Sequence, residues 1–381
     1  MPSAQHTVTE EMSAERIARR LELLRQGLNP DEFDDDDDQA EPAAEAAGTP
    51  APETRLFYRP WEQAADEYIA WSKTPEKRIY TGIPQFDEAM RGLAPGELML
   101  VVGYAHSGKT VFTTQVLLHN HDKRVAVFTP DETRVLVLVK MASILHGVSA
   151  EEIEERLAAG DSFMEELLRD VARDHFPHFA VFDEITDLAL MDQALDECVE
   201  VWGGEQPQLV VIDYAGLVTG AGEDIPSIMN SIKAWGKRRE VPLIVLHQAS
   251  RTAGAAGKKL GMDSGSYGGE QQATFLIGVR RKREQYQALI DEAEEKLAQA
   301  SQESTIRRLE SIIADAAYER ERHTHTVTFS LVKNKRPPSR LVDDTDFILD
   351  PDTGRVAPFD GAAASKATYQ QTVEYQQGEA F

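Results

Sequence analysis

One cysteine, Cys198, stands in 381 residues. A single thiol cannot close an internal disulfide, and there is no thiolate cluster for zinc. The reading for it is a core thiol. Long apolar runs are also missing: none approaches the ~20 residues that span a bilayer. The charged N-terminus lacks the apolar centre of a signal peptide. These absences predict a soluble protein of the reducing cytoplasm. Positive charge is scarce, with 40 Lys and Arg against 65 Asp and Glu, for a net charge of -25. That excludes a protein that grips nucleic acid over its whole surface, so any such contact has to be local. What the chain does have is 41% hydrophobic residues, enough for the core of one large or two ordinary domains.

The pattern divides the chain. Residues 1–28 read as an N-terminal segment with a short amphipathic helix expected from Ser13 to Gly27, with Ile17, Leu21 and Leu24 on one face and Ser13 as its cap. Residues 29–55, with the run Asp34 to Asp38 followed by Ala, Pro and Glu, read as an acidic disordered linker, because like charges repel and nothing there builds a core. It is either a solvated arm or one that binds a basic partner. Residues 56–77 read as a linker helix that ends before Pro75. From 78 to 360, apolar strands alternate with helical patterns: Leu98 to Val102, Arg124 to Thr129, Phe179 to Phe182, Gln208 to Ile212, Pro242 to Leu246, Ala273 to Val279 and Thr326 to Val332. Such strands with helical crossovers predict an α/β fold with a mostly parallel central sheet. The late strands lack long crossovers, so that edge is expected to be antiparallel. Residues 281–323 predict an inserted helical hairpin, with Leu289, Ala293 and Leu297 and then Ile306, Leu309 and Ile313 at helical spacing and a break at Ser301 to Ser304. Phe347 to Phe359 predicts a β-hairpin turning at Asp350 to Gly354. Residues 361–381 read as a disordered tail.

Between the first strand and its helix lies Gly103-Tyr104-Ala105-His106-Ser107-Gly108-Lys109-Thr110. A glycine-framed loop there gathers backbone N–H groups at the positive end of a helix, which suits a triphosphate. Lys109 would reach the β- and γ-phosphates, and the Thr110 hydroxyl would ligate magnesium. Asp213 ends a buried strand and either holds Mg2+ through water or caps the next loop. Gln248, at another strand tip, can report on a γ-phosphate, whereas a lone His247 reads as structural. Asp131 or Glu132 can orient water for attack, or else cap the helix that follows. Between Ser231 and Leu260 there are seven Lys or Arg and one acid, Glu240. Within that segment Arg251, Lys258 and Lys259, on a Gly- and Ser-rich stretch, are the candidate contacts for a phosphodiester backbone. Lys333, Lys335 and Arg336 end a late strand, where a cation either reaches a neighbour's γ-phosphate or forms a solvated turn.

Together these motifs resemble the RecA-like ATPase domain of DnaB-type replicative helicases of bacteria and bacteriophages. The likeness runs from about Thr81 to Phe359. Thr81 to Asp87 and Gly92 to Leu98 resemble the family's approach to its Walker A loop, which is Gly103 to Thr110 here. Asp213-Tyr214 is similar to the Walker B pair. Leu246 to Arg251 resembles the motif whose glutamine senses the γ-phosphate. Ser264-Gly265-Ser266 and Glu270 to Ala273 resemble the signature near the DNA loops. The resemblance places Asp131 at the catalytic glutamate position with Glu132 next door. It places Lys333 and then Lys335 at the trans-acting lysine and finger positions, with Arg336 one residue late. A short helix and acidic linker stand where the family carries its N-terminal, primase-docking domain, and the 281–323 insertion is outside the common core.

The resemblance implies a RecA-like P-loop NTPase core, ATP and Mg2+ as ligands, and a homo-oligomeric ring, a hexamer, that moves on single-stranded or forked DNA. It implies a primase, loader or other replication protein as partner. Two rival readings stand beside it. One is a recombination ATPase of the RecA or RadA type, and the other is a DNA-stimulated ATPase acting as loader or scaffold without unwinding.

Overall fold

Nine strands hydrogen-bond into one sheet in the order β3-β2-β4-β5-β1-β6-β7-β8-β9. In this computed structural model the described residues are 60–249 and 269–359. Compactness divides the chain into Met1–Trp61 and Glu62–Phe381, and the fold below is that of the second unit. The expected N-terminal helix, acidic linker and tail lie outside the described residues, as do Arg251, Lys258, Lys259 and Ser264 to Ser266.

Helix α1 (Trp61–Lys73) and a single 3-10 turn lead to α2 (Pro84–Met90), β1 (Leu98–Gly103) and α3 (Lys109–His119). Next come β2 (Val125–Phe128), three helices, α4 (Arg134–His146), α5 (Ala150–Ala158) and α6 (Ser162–Asp170), and β3 (Phe179–Phe182). The second half runs α7 (Leu188–Val201), β4 (Leu209–Ile212), α8 (Ile225–Arg239), β5 (Leu243–Gln248) and β6 (Phe275–Arg281). It closes with α9 (Lys282–Gln299), α10 (Glu303–Arg322), β7 (Thr326–Asn334), β8 (Val342–Leu349) and β9 (Val356–Pro358). Strands β1 to β6 are parallel, and β7 to β9 are antiparallel. Among the described residues no helix is long and apolar enough to cross a membrane.

Strand β1 is apolar throughout because both faces of the sheet are covered. Successive side chains point to opposite faces. Met99 and Val101 join the cluster built with α2, α3 and α4, while Leu98, Leu100 and Val102 join the cluster built with α7 and α8. Phe112 fixes α3 to the sheet, packing edge-on against Phe329 at 5.2 Å between ring centroids and tilted against Phe86 at 6.4 Å. Burying such a side chain contributes roughly 1.5–3 kcal/mol. Cys198 is buried on α7, and burial pushes its thiol up to about 11.

The motif before β1 is structural. Asp87 accepts from Thr81 N at 2.7 Å, Thr81 Oγ1 at 2.8 Å and Gly82 N at 3.0 Å, clamping the chain where Pro84 starts α2.

Helices α9 and α10 form the hairpin between β6 and β7, and the link between them falls at Ala300–Gln302. Its inner face follows the expected stripe at Ala293, Leu297, Ile306, Leu309 and Ile313 and departs from it at Leu289, whose neighbour Ile290 turns inward instead. Ile290, Ala293, Leu309 and Ala316 are buried, while Leu289 is exposed. The base is held by a stack of Tyr286, His323 and Phe359.

Strand β8 begins five residues before the expected Phe347. Its acidic first half is poor in strand formers. Asp344 and Asp346 belong there because they pair with Arg280 and Lys282.

Candidate functional site

The phosphate loop leaves the carboxyl end of β1, the central strand of the nine-stranded sheet. The chain then crosses β5 and β4 to reach β2, so the loop lies at the switch point where such sheets bind ligands. Two glycines there are obligatory. A Cβ on Gly103 would lie 2.2 Å from Ser107 Oγ and 2.7 Å from Val279 O. Gly108 has φ +105 and faces Val327 Cγ2 at 2.9 Å, a conformation and a gap that only glycine fills. Gly108 also caps α3 with no side-chain acceptor, so the first-turn N–H groups keep their donors for an outside acceptor. His106 takes a left-handed φ of 59.

Lys109 Nζ donates to Gly103 O at 3.1 Å and Tyr104 O at 2.9 Å. Burial lowers its pKa, opposed by the Asp213 carboxylate. Ser107 Oγ is buried with no partner among the described residues, a hydroxyl aimed within the loop itself. Asp213 follows β4, its N–H donating to Phe128 O at 2.8 Å. Its pKa is raised to about 6, first by burial and then by the Glu132 carboxylate, with Lys109 pulling the other way. Gln248 stands at the tip of β5, in register with Gly103 and exposed. His247 is buried, and burial followed by Lys109 holds its pKa down.

Thr110, Glu132, Lys140 and Asp213 line one pocket together with Thr113, Thr129 and Met141. Glu132 is half-buried and ion-paired to Lys140, whereas Asp131 is exposed and does not line the pocket. Both carboxylates raise the Asp213 pKa, Glu132 more than Asp131, but only Glu132 shares the pocket with Thr110 and Asp213. The sequence reading did not single out Lys140. Its signal was position, on the inward face of α4 eight residues after Glu132.

The residue set fits a magnesium–triphosphate. Magnesium sits on one or two protein groups plus phosphate oxygens rather than in an all-protein cage. Among the described residues no group of three His, Cys, Asp or Glu is placed to hold a metal alone. The crowded carboxylates beside Thr110, and the raised pKa of Asp213, are what a divalent cation relieves.

Lys333, Lys335 and Arg336 lie elsewhere. Asn334 pairs with Phe275, which pairs with Met99, four residues before Gly103. That is about 13 Å along the strand at the usual rise, toward the opposite edge of the sheet. Lys335 is exposed, with Nζ donating to Gln271 O at 2.8 Å. Lys333 donates to Glu270 O. Arg336 is tied down inside its own subunit. It donates to Met90 O at 2.6 Å and Gly92 O at 2.7 Å, pairs with Glu97, and lies over the rings of Trp71 and Phe275 at 4.6 and 5.3 Å.

The family profile described as the DnaB-like helicase C terminal domain matches residues 78–335. The chain belongs to that family. Among curated DnaB relatives, the replicative DNA helicase DnaB of Treponema pallidum (strain Nichols) is 22% identical over 217 residues, 54% of this chain and 48% of the relative. That of Geobacillus stearothermophilus is 21% identical over 184 residues, covering 46% and 40%. The chain thus spans about half the length of the curated DnaB proteins it matches. Among solved structures, a chain that is itself an ATPase domain superposes with a TM-score of 0.55 at 15% identity, covering 78% of this chain and 98% of that one. A DnaB-like replicative helicase studied for its interactions with primase gives 0.54 at 16%, covering 79% and 72%. These likenesses show the RecA-like ATPase fold of DnaB-family domains.

Proposed function

We infer that this DnaB-family chain is the motor of an ATP-dependent DNA helicase, a cytoplasmic head-to-tail ring that hydrolyses ATP between subunits to travel on single-stranded DNA. The observation that carries the reading is the separation of two half-sites. The phosphate loop, Thr110, Glu132 and Asp213 gather at one edge of the sheet, while Lys333 and Lys335 are fixed at the other. One copy cannot bring both to one triphosphate, and two copies in succession can.

In this reading the loop N–H groups and Lys109 hold the β- and γ-phosphates, and Thr110 and Asp213 hold magnesium, which neutralises charge on the phosphate oxygens. Glu132, steered by Lys140, orients the attacking water and accepts its proton. Gln248 lies beside the loop and relays the state of the γ-phosphate along β5. The neighbour's Lys335 acts as the finger, with Lys333 beside it, and Arg336 holds the fold. Arg251, Lys258 and Lys259 contact the strand. A primase or loader would be the partner, in keeping with the primase partner of the second solved relative.

The test is ATP turnover with and without single-stranded DNA, together with displacement of a labelled strand from a forked duplex. The expected result is DNA-stimulated turnover and unwinding, both lost in Lys109→Ala while that variant's unfolding curve stays intact. Turnover without displacement on any fork would sink the helicase reading in favour of a loader or scaffold.

A further inference from the structure

Residues Glu270 to Gln272 form a turn, closed by Gln272 N–H donating to Gly269 O at 3.1 Å. Three lysines from two elements converge on its carbonyls. Lys333 of β7 donates to Glu270 O, Lys335 just beyond β7 donates to Gln271 O at 2.8 Å, and Lys233 of α8 donates to Gln272 O at 2.6 Å. Consecutive residues lie about 3.8 Å apart, so the three ammonium groups share one small patch. They sense one another. Burial and then Lys335 and Lys233 push Lys333 down to about 8, and burial and then Lys335 lower Lys233. One carboxylate, Glu270, works against this on Lys333. Three cations held together by backbone oxygens, at a repulsive cost, make a receptor for a multiply charged anion.

We propose that Lys233 is a third trans-acting cation, closing with Lys333 and Lys335 on the triphosphate bound by the neighbouring subunit. This rests on the reading that ATP lies between subunits. Lys233 brings something the other two lack. It sits on α8, which begins at Ile225, directly after the 218–224 loop at the other edge of the sheet. Eight residues of helix separate loop and lysine, about 12 Å of rigid rod. A pull on Lys233 by the neighbour's phosphate would reach that loop through the helix. Lys233 is thus the point where the neighbour's nucleotide state meets a helix that leads back to the carboxyl end of β4 in its own subunit.

The experiment uses the full chain with ATP, magnesium and single-stranded DNA. Lys233→Met should keep the wild-type unfolding temperature and wild-type binding of a fluorescent ADP, and lose about tenfold or more in kcat. Lys233→Arg should recover most of it. Mixing Lys233→Met with Lys109→Ala should restore turnover, because random head-to-tail assembly joins an intact loop to an intact lysine turn at about a quarter of the contacts. Wild-type kcat in Lys233→Met and Lys233→Gln, or no recovery on mixing, overturns the proposal. So does a variant whose only defect is weaker DNA affinity, cured by saturating DNA. Lys335→Ala run through the same mixing separates the two failures. If Lys335→Ala is complemented and Lys233→Met is not, only the role of Lys233 falls. If Lys335→Ala retains full turnover, the between-subunit reading falls with it.

Discussion

Arg336 and Lys335 are neighbours that offer one cation for the finger and one for the fold, and alanine tells them apart. Arg336→Ala removes two hydrogen bonds to Met90 O and Gly92 O, contacts over the rings of Trp71 and Phe275, and the partner of Glu97. The Arg336 side chain is 10% exposed and that of Glu97 23%, so the carboxylate would be left largely out of water. Breaking a buried pair by deleting one member costs about 3–5 kcal/mol. Partial solvent access to Glu97 takes this toward the lower end, and the lost ring contacts add about 1 kcal/mol. A loss of about 4 kcal/mol corresponds to a fall in Tm of roughly 6–8 °C for a domain of about 280 residues. Lys335→Ala removes an exposed side chain, which costs within about 0.5 kcal/mol, but it should lower ATP turnover by about 10³-fold if it serves as a finger. Thermal unfolding by circular dichroism reads the first effect, and turnover below the variant's transition reads the second. The reasoning is refuted if Arg336→Ala melts with the wild type, or if Lys335→Ala turns over ATP normally.

Three further outcomes follow from the site. Glu132→Gln should reduce turnover by about 10²-fold or more with ATP binding intact, while Asp131→Asn should stay within a few-fold, and single-turnover phosphate release distinguishes them. Asp213 has a folded pKa of about 6, above its ordinary 3.8, so the folded state binds its proton more tightly and this group's contribution to stability falls as pH rises from about 4 through 6. Asp213→Asn should therefore raise the magnesium-free Tm at pH 7 and lose that advantage by pH 4, and an unchanged difference across this range would contradict the burial argument. Replacing residues 288–317, the distal part of the hairpin, by a short Gly-Ser link should leave Tm and DNA-free turnover near wild type, because its buried side chains Ile290, Ala293, Leu309 and Ala316 all lie within the segment removed. A collapse in expression or in Tm would show that the hairpin props the core.

Strands buried on both faces were legible because they are apolar without interruption, as Leu98 to Val102 and Leu209 to Ile212 show. Phe179 to Phe182 was legible in the same way although it is a half-buried edge strand. The antiparallel edge was legible at β7 to β9 from the lack of crossover helices, whereas β6 and β7 are antiparallel because the two helices of the hairpin return the chain to the end of the sheet it left. The start of β8 was hidden because its acids are satisfied by Arg280 and Lys282 on a distant stretch of chain. The hairpin's inner stripe was legible except at Leu289, because the adjacent apolar pair Leu289 and Ile290 offers two choices at one turn and spacing does not pick between them. Within the site, spacing located the phosphate loop, Asp213 and Gln248 but left Asp131 and Glu132 equivalent, since adjacent residues differ only in direction. Lys233 read as one more cation in a basic segment. Its convergence with Lys333 and Lys335 depends on α8 packing beside the start of β6, and no local pattern announces that.

The placement of phosphate loop and lysine turn at opposite ends of the same strands has an arithmetical consequence. If ATP lies between copies as proposed, every junction in a head-to-tail row makes one working centre, so a row always has one centre fewer than it has copies. When the row bends round and its ends meet, the deficit disappears without any protein being added. Turnover per copy then rises with assembly and drops on dilution, so specific activity measured against concentration reports how often the row has closed.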